Sequence, residues 1–385
     1  MAAAAHTLPG VAGRFGAFST GECAAVIVRW CSVRGSAMAA TPHGDRLLTA
    51  APRQQRRRRS LLPVRPSGFR TPASAAAYRQ TYERVLTELW PVAFEHVHVP
   101  TRFGISHAVL SGSEDAPPVL LLHGAGLSAA SWHLTVEALA QQHRIIAADL
   151  VFDRGLGEQS AVVGGEEDAA LWVADLLDGL DVATASLVGL SQGAWVAAST
   201  ARFQPEVVER LALLAPAATL QPFRLPFWLL FRGFQHLLPK GDPERRALRT
   251  FELVDCVPDP RLLELTALGL EHFREQRPPV LPRRFGDDDL RRITCPTLLL
   301  VAGKEVLYSA PKALQRANRL LPQLEVSDLV HDAGHFLTVA RPDMVNEALV
   351  AFLSPPRPTA PQPRLGHEGP TAPTPGSADL PAPAP

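Results

Sequence analysis

Apolar residues in this chain fall into short unbroken runs separated by stretches of helical spacing, and that alternation sets the elements to expect. The segment AYRQTYERVLTELW predicts an amphipathic helix, and FEHVHVP and ISHAVLSG predict two alternating strands about a Phe103-Gly104 turn. PPVLLLHG follows as a fully apolar strand, and HRIIAAD, ASLVGLS, VERLALLAP, CPTLLLVAG and LEVSDLV continue the series. Helix-like segments such as EEDAALWVADLLDGLD and GAWVAASTARF lie between them, and PDMVNEALVAFL closes the pattern. A strand with no polar face is buried on both sides, which requires helices above and below the sheet. The expected class is therefore α/β, with a mostly parallel eight-stranded sheet flanked by helices.

One section breaks the rhythm. Residues 220 to about 290, opening LQPFRLPFWLLFRGFQHLLP, hold apolar helix-like segments interrupted by prolines and no clear strand, as a helical cap inserted between two strands would. Its aromatic residues Phe223, Phe227, Trp228, Phe231 and Phe234 either line a pocket or pack the cap helices together.

The two ends differ from the body in composition. Residues 1–72 are rich in Ala, Gly and Arg without sustained periodicity, and are expected to be a disordered leader; a targeting peptide is the alternative. From Ser354 to residue 385, 11 of the 32 residues are proline, which predicts a disordered extended tail. Residues 73–353 are left as the folded domain. The formal net charge is +0, yet residues 1–74 hold 11 Arg against 2 acidic residues, so the remainder carries −9. Nucleic acid is thereby excluded as the partner of the body, and no apolar run is long enough to span a bilayer. Four cysteines, at 23, 31, 256 and 295, form no C-x-x-C pair, so neither zinc nor a disulfide framework is expected and a cytoplasmic location fits.

The chemistry is expected at the ends of the apolar strands. GLSQG sits between an apolar strand and a helix, where a tight turn would lift the Ser191 hydroxyl clear of the sheet towards a base, with Gly189 and Gly193 giving the turn room. HDAGHFL places His335 after the last strand and before the closing helix; His331 is the neighbouring alternative. In CPTLLLVAGKEVLYSA, Glu305 stands just past the strand and could orient the histidine, with Asp332 and Asp328 as substitutes. LLLHGAGLSAASW follows a strand with a glycine-containing turn, so the backbone N–H groups of Ala125 and Gln192 could form an oxyanion hole.

Taken in chain order, HGAG, GLSQG, GKEV and AGH resemble the α/β-hydrolase family over about residues 76–353. ELWPVAFEHVHVPTRFGISHAVLSGSEDAPPVLLLHG and LLAPAATLQPF resemble a bacterial carboxylesterase-like subgroup with a short N-terminal helix and a helical cap. The resemblance implies Ser191 as nucleophile, Glu305 as acid, His335 as base, and the amides of Ala125 and Gln192 as the oxyanion hole. Two departures stand out. The family turn Asp-x-x-Gly-x-Gly-x-Ser is replaced by DLVFDRGLGEQS from Asp149, and the usual Gly-x-x-Asp acid turn reads Gly303-Lys304-Glu305.

The implied activity is hydrolysis of a small-molecule carboxylic ester through an acyl-enzyme, with no cofactor and no metal. The same triad supports cleavage of a lactone or of a carbon–carbon bond, and a non-catalytic ligand-binding protein can keep the fold. Sequence alone leaves the oligomeric state open.

Overall fold

The computed structural model describes residues 64–224, 242–252 and 254–354, all within one unit, Ser60–Pro385. Its sheet is built from β1 (Glu95–Thr101), β2 (Gly104–Ser111), β3 (Pro118–Leu122), β4 (Arg144–Ala148), β5 (Ala185–Leu190), β6 (Val208–Leu214), β7 (Thr297–Ala302) and β8 (Leu324–Val330). They lie side by side in the order β1-β2-β4-β3-β5-β6-β7-β8. Only β2 runs antiparallel to its neighbours, as expected for a strand reached by a hairpin from β1; the pairs from β4 through β8 are parallel. A further two-residue strand, Glu158–Gln159, pairs with the start of β2.

Parallel strands need covered faces, and the sequence supplies the covers. The helices α1 (Pro72–Leu89), α2 (Glu166–Asp178), α3 (Gln192–Phe203), α6 (Ala310–Leu320) and α7 (Pro342–Leu353) alternate with the strands. Every residue of β5 and β7 is buried, so neither strand has a solvent face. The first helix starts at Thr71, whose hydroxyl accepts the Ser74 amide while Ser74 reaches back to the Thr71 amide; Pro72 occupies the first turn, where its missing N–H costs nothing. Among the described residues no helix is long and apolar enough to cross a membrane.

Between β6 and β7 lie α4 (Pro243–Glu252) and α5 (Pro260–His272), the two longer described helices of the expected cap, followed by the short helix Asp287–Arg291. Phe223 packs against the core; Phe227, Trp228, Phe231 and Phe234 fall outside the described residues, as do residues 1–63 and the tail from residue 355. Residues 64–71, which the composition assigned to the leader, pair with the cap side instead. Gly68–Phe69 forms a short antiparallel ladder with Phe273–Arg274, and Arg65 bridges Arg277. The cap section therefore contains a two-residue strand that its proline-broken pattern hid. Phe69 secures the pairing by packing a tilted face on Tyr78 and meeting Phe273 edge to face, with ring centroids 4.8 and 5.3 Å away.

The strand order reverses direction at β3. After β4 is laid on one side of it, β5 returns to the other, and this switch point leaves a crevice beyond the carboxyl ends of β3 and β5. Leu122 at the end of β3 sits in register with Gly189 in β5, so the turns that follow both strands emerge side by side.

Candidate active site

Ser191 occupies that crevice. It is the first residue after β5 and the N-cap of α3, at φ 54° and ψ −110°, a conformation L-residues rarely adopt. The surroundings hold it there: its amide donates to Leu214 of β6 at 2.9 Å, and its carbonyl accepts from Trp195 and Ala217 at 3.2 and 3.1 Å. The helix must approach closely for this turn to form. A side-chain carbon on Gly193 would fall 2.0 Å from the Leu122 carbonyl oxygen, and one on Gly189 would fall 2.4 Å from the Ala194 nitrogen. Glycine at both positions is therefore a packing requirement.

Three side chains from separate loops meet in a line. His335 Nε2 is 2.8 Å from Ser191 Oγ, and its Nδ1 is 2.8 Å from Glu305 Oε2. The other carboxylate oxygen of Glu305 accepts the Leu307 amide at 2.9 Å. An ionised carboxylate only accepts, so Nδ1 carries the ring proton and Nε2 is free to receive the serine proton. The side chains of His335 and Glu305 are 2% and 0% exposed. A hydroxyl so placed can lose its proton as it attacks an electrophile, and the buried carboxylate stabilises the imidazolium that results.

The alternatives weighed from sequence do not reach this line. His331, Asp328 and Asp332 are exposed, and Asp328 instead caps the amide of Leu329 at 2.7 Å. Burial pushes the thiol of Cys256 up to about 12 and that of Cys295 up to about 11, which keeps both out of the thiolate form at neutral pH.

Ala125 follows Gly124, whose α-carbon lies close enough to Ser191 that an added side-chain carbon would sit 3.5 Å from Ser191 Cβ. Gln192 is the first residue of α3, where an amide has no partner within the helix. Gln192 thus adjoins Ser191 in sequence, and the turn that holds Ala125 runs beside it. Beside them opens a narrow pocket lined mainly by Leu127, Leu190, Phe251, Leu262, Leu265 and Phe336.

Two buried groups were not among the site residues expected from sequence. Tyr308 is buried against Glu305; burial first, then that carboxylate, pushes its phenol well above the ordinary value, although its hydroxyl lacks hydrogen-bond alignment. The second is Asp149, buried at the end of β4. Its carboxylate accepts the Tyr82 hydroxyl at 3.1 Å, the Ala129 amide at 2.8 Å, the Leu156 amide at 2.9 Å and His107 Nδ1 at 2.7 Å. His107 continues to His96 at 2.8 Å, and His96 lies 3.0 Å from Glu83, within ion-pair distance but out of hydrogen-bond alignment.

Burial alone would raise Asp149, but the His107 ring, its hydrogen bond, the His123 ring and the Ala129 amide outweigh it and hold the carboxyl below 3.8. A lowered folded value means that the carboxylate stabilises the protein above pH 3.8 and that this contribution is lost as pH falls through the folded value. Asp149→Ala strands two amides and a histidine in the core, so urea unfolding at pH 7 should show a loss of about 3 kcal/mol or more.

Comparison with known proteins gives the family of the fold. Residues 119–348 match the model of the Alpha/beta hydrolase family. The chain is 32% identical over 282 residues to the uncharacterized carboxylesterase nap of Bacillus subtilis, covering 72% of this chain and 92% of that protein. It is likewise 32% identical over 290 residues to carboxylesterase YbfK of the same organism, covering 74% and 96%. The crystal structure of the naproxen esterase (carboxylesterase NP) from Bacillus subtilis superposes with a TM-score of 0.68 at 30% identity, covering 74% of this chain and 99% of that one.

Proposed function

We propose, from the premise that this chain belongs to the alpha/beta hydrolase family, that it is a serine hydrolase cleaving carboxylic esters of small molecules through an acyl-enzyme. The observation that carries the reading is the continuous line from Ser191 Oγ through His335 to Glu305, with 2.8 Å at each junction. In this reading Ser191 attacks the ester carbonyl while His335 Nε2 takes its proton. The amides of Ala125 and Gln192 receive the oxyanion of the tetrahedral intermediate. His335 then gives the proton to the leaving alcohol oxygen, and the carbon–oxygen bond breaks to leave Ser191 acylated. Water repeats the sequence on the acyl group, releasing the carboxylic acid and restoring the hydroxyl.

Glu305 keeps the proton on Nδ1 throughout. The apolar lining contributed by Leu190, Phe251 and Phe336 suits a hydrocarbon portion of the ester, since burying it there removes apolar surface from water. The similarity to Bacillus carboxylesterases supports the ester assignment over other bonds that the same three groups can cleave.

The test is covalent labelling with a fluorophosphonate followed by peptide mapping. The expected adduct lies on the peptide containing Ser191 and disappears in Ser191→Ala. Absence of labelling in the folded wild-type protein would contradict the assignment and favour a ligand-binding role.

A further inference from the structure

The loop from Asp149 to Ser160, where the sequence departs from the family turn, grips the chain that follows β3. Asp153 Oδ2 accepts the Gly126 amide at 2.6 Å, and Arg154 Nη1 donates to the Gly126 carbonyl at 2.9 Å. Consecutive residues of one loop therefore hold both polar groups of a single residue in another. The second oxygen of Asp153 accepts the Arg154 amide at 2.8 Å, which braces the grip from within.

Gly126 directly follows Ala125, and peptide planarity turns this contact into control of an N–H direction. The Gly126 amide belongs to the same rigid plane as the Ala125 carbonyl. The plane on the other side of Ala125 contains its own N–H and the Gly124 carbonyl. That carbonyl accepts from His123 Nδ1 at 2.8 Å and from the Leu127 amide at 3.1 Å. With both flanking planes pinned, the two backbone rotations at Ala125 are fixed, and so is the line along which its N–H points. Arg154 extends the chain of contacts to the cap. It is 8% exposed and runs so close to α5 that a side-chain carbon on Gly269 would fall 2.3 Å from its Cδ.

We infer that Asp153 and Arg154 are positioning residues that aim the Ala125 N–H at the oxyanion and couple that aim to the seating of cap helix α5. The inference rests on the proposed role of Ala125 in ester hydrolysis. An oxyanion donor acts only if it already points where charge will develop, so misdirecting it costs rate and leaves ground-state binding largely intact.

The experiment measures kcat and KM for p-nitrophenyl butyrate, and Ki for an aliphatic trifluoromethyl ketone that binds as a hemiketal oxyanion. The variants are Asp153→Ala, Arg154→Met and Gly269→Ala, with Asp153→Asn and Arg154→Lys as milder forms should the first set fail to fold. Asp168→Asn is the control, because Asp168 also holds a glycine amide, that of Gly164 at 2.7 Å, but on an exposed turn.

The expected result is a fall in kcat of about 10- to 100-fold with KM changed by less than about threefold, a fraction of what complete loss of an oxyanion donor costs. Ki should rise in proportion to KM/kcat across the series, which a general loss of stability would not produce. Arg154→Lys, which retains a donor, should lose less than Arg154→Met. Folded variants that keep kcat at the Asp168→Asn level, or that lose kcat with Ki unchanged, overturn the inference. Wild-type protein without turnover or Ser191 labelling would overturn the functional reading beneath it, a result distinguishable from failure of the clamp alone.

Discussion

Ser191→Ala should lower kcat for a short p-nitrophenyl ester by at least about a thousandfold while leaving the protein folded. The substitution removes Oγ, the atom that is hydrogen-bonded to His335 Nε2 and that the proposed reaction acylates. Without it the protein keeps the Ala125 and Gln192 amides proposed to receive the oxyanion, and its pocket, so KM should change far less than kcat. The fold should survive for a local reason. The turn at Ser191 is held through its backbone, its amide by the Leu214 carbonyl and its own carbonyl by the Trp195 and Ala217 amides, and alanine retains all three bonds. Its conformation at φ 54° is no harder for alanine than for serine. Steady-state kinetics with a parallel melting curve checks both halves of the expectation. Turnover within tenfold of wild type at equal purity would move the nucleophile elsewhere.

Glu305→Gln should be nearly as damaging, by about a thousandfold to ten-thousandfold in kcat, and it tests the acid assignment more sharply than deletion would. The Leu307 amide donates to one carboxylate oxygen of Glu305 at 2.9 Å, so a glutamine there turns its own oxygen to Leu307. Its NH2 group then faces His335 Nδ1, where an acceptor stood before. The ring must shift its proton to Nε2, which can no longer take one from Ser191. Size and burial are preserved, so thermal stability should change little compared with rate. Asp328→Asn and Asp332→Asn should keep kcat within about twofold, because both side chains are exposed and lie outside the line to His335. A normal Glu305→Gln enzyme beside an inactive Asp332→Asn enzyme would place the acid on the histidine's own loop.

The strands and their ends were legible from sequence for a simple reason. A strand covered on both faces must be apolar throughout, so runs such as ASLVGL and TLLLVA mark their own limits, and the first polar residue after them stands at the sheet edge. Ser191 and Glu305 follow such runs, Ser191 directly and Glu305 after Gly303 and Lys304, whereas His335 follows β8, a half-exposed strand that carries Glu325, Ser327 and Asp328. Their mutual distances depend on strand order, which the family resemblance implied and local pattern did not. The acid-poor composition that assigned residues 64–71 to the leader misled because pairing of Gly68–Phe69 with Phe273–Arg274 is a backbone contact across roughly half the chain. The grip of Asp153 and Arg154 on Gly126 was hidden likewise, since the partner atoms are an amide and a carbonyl that every residue carries. Only the altered spacing after Asp149 hinted that this loop differs. Tyr308 gave no hint, because a buried aromatic at the start of a helix reads as core.

The central claim, that an ester's acyl group passes through Ser191, is tested most directly by trapping that intermediate. Enzyme mixed rapidly with p-nitrophenyl butyrate and quenched in acid within milliseconds should show a burst of p-nitrophenolate and an intact mass raised by one butyryl group. Digestion should locate that group on the peptide spanning SLVGLSQGAWVAA, with fragmentation assigning it to Ser191. Steady release of p-nitrophenolate and butyrate from an enzyme whose Ser191 is never acylated, or an acyl group found on another residue, would contradict the account.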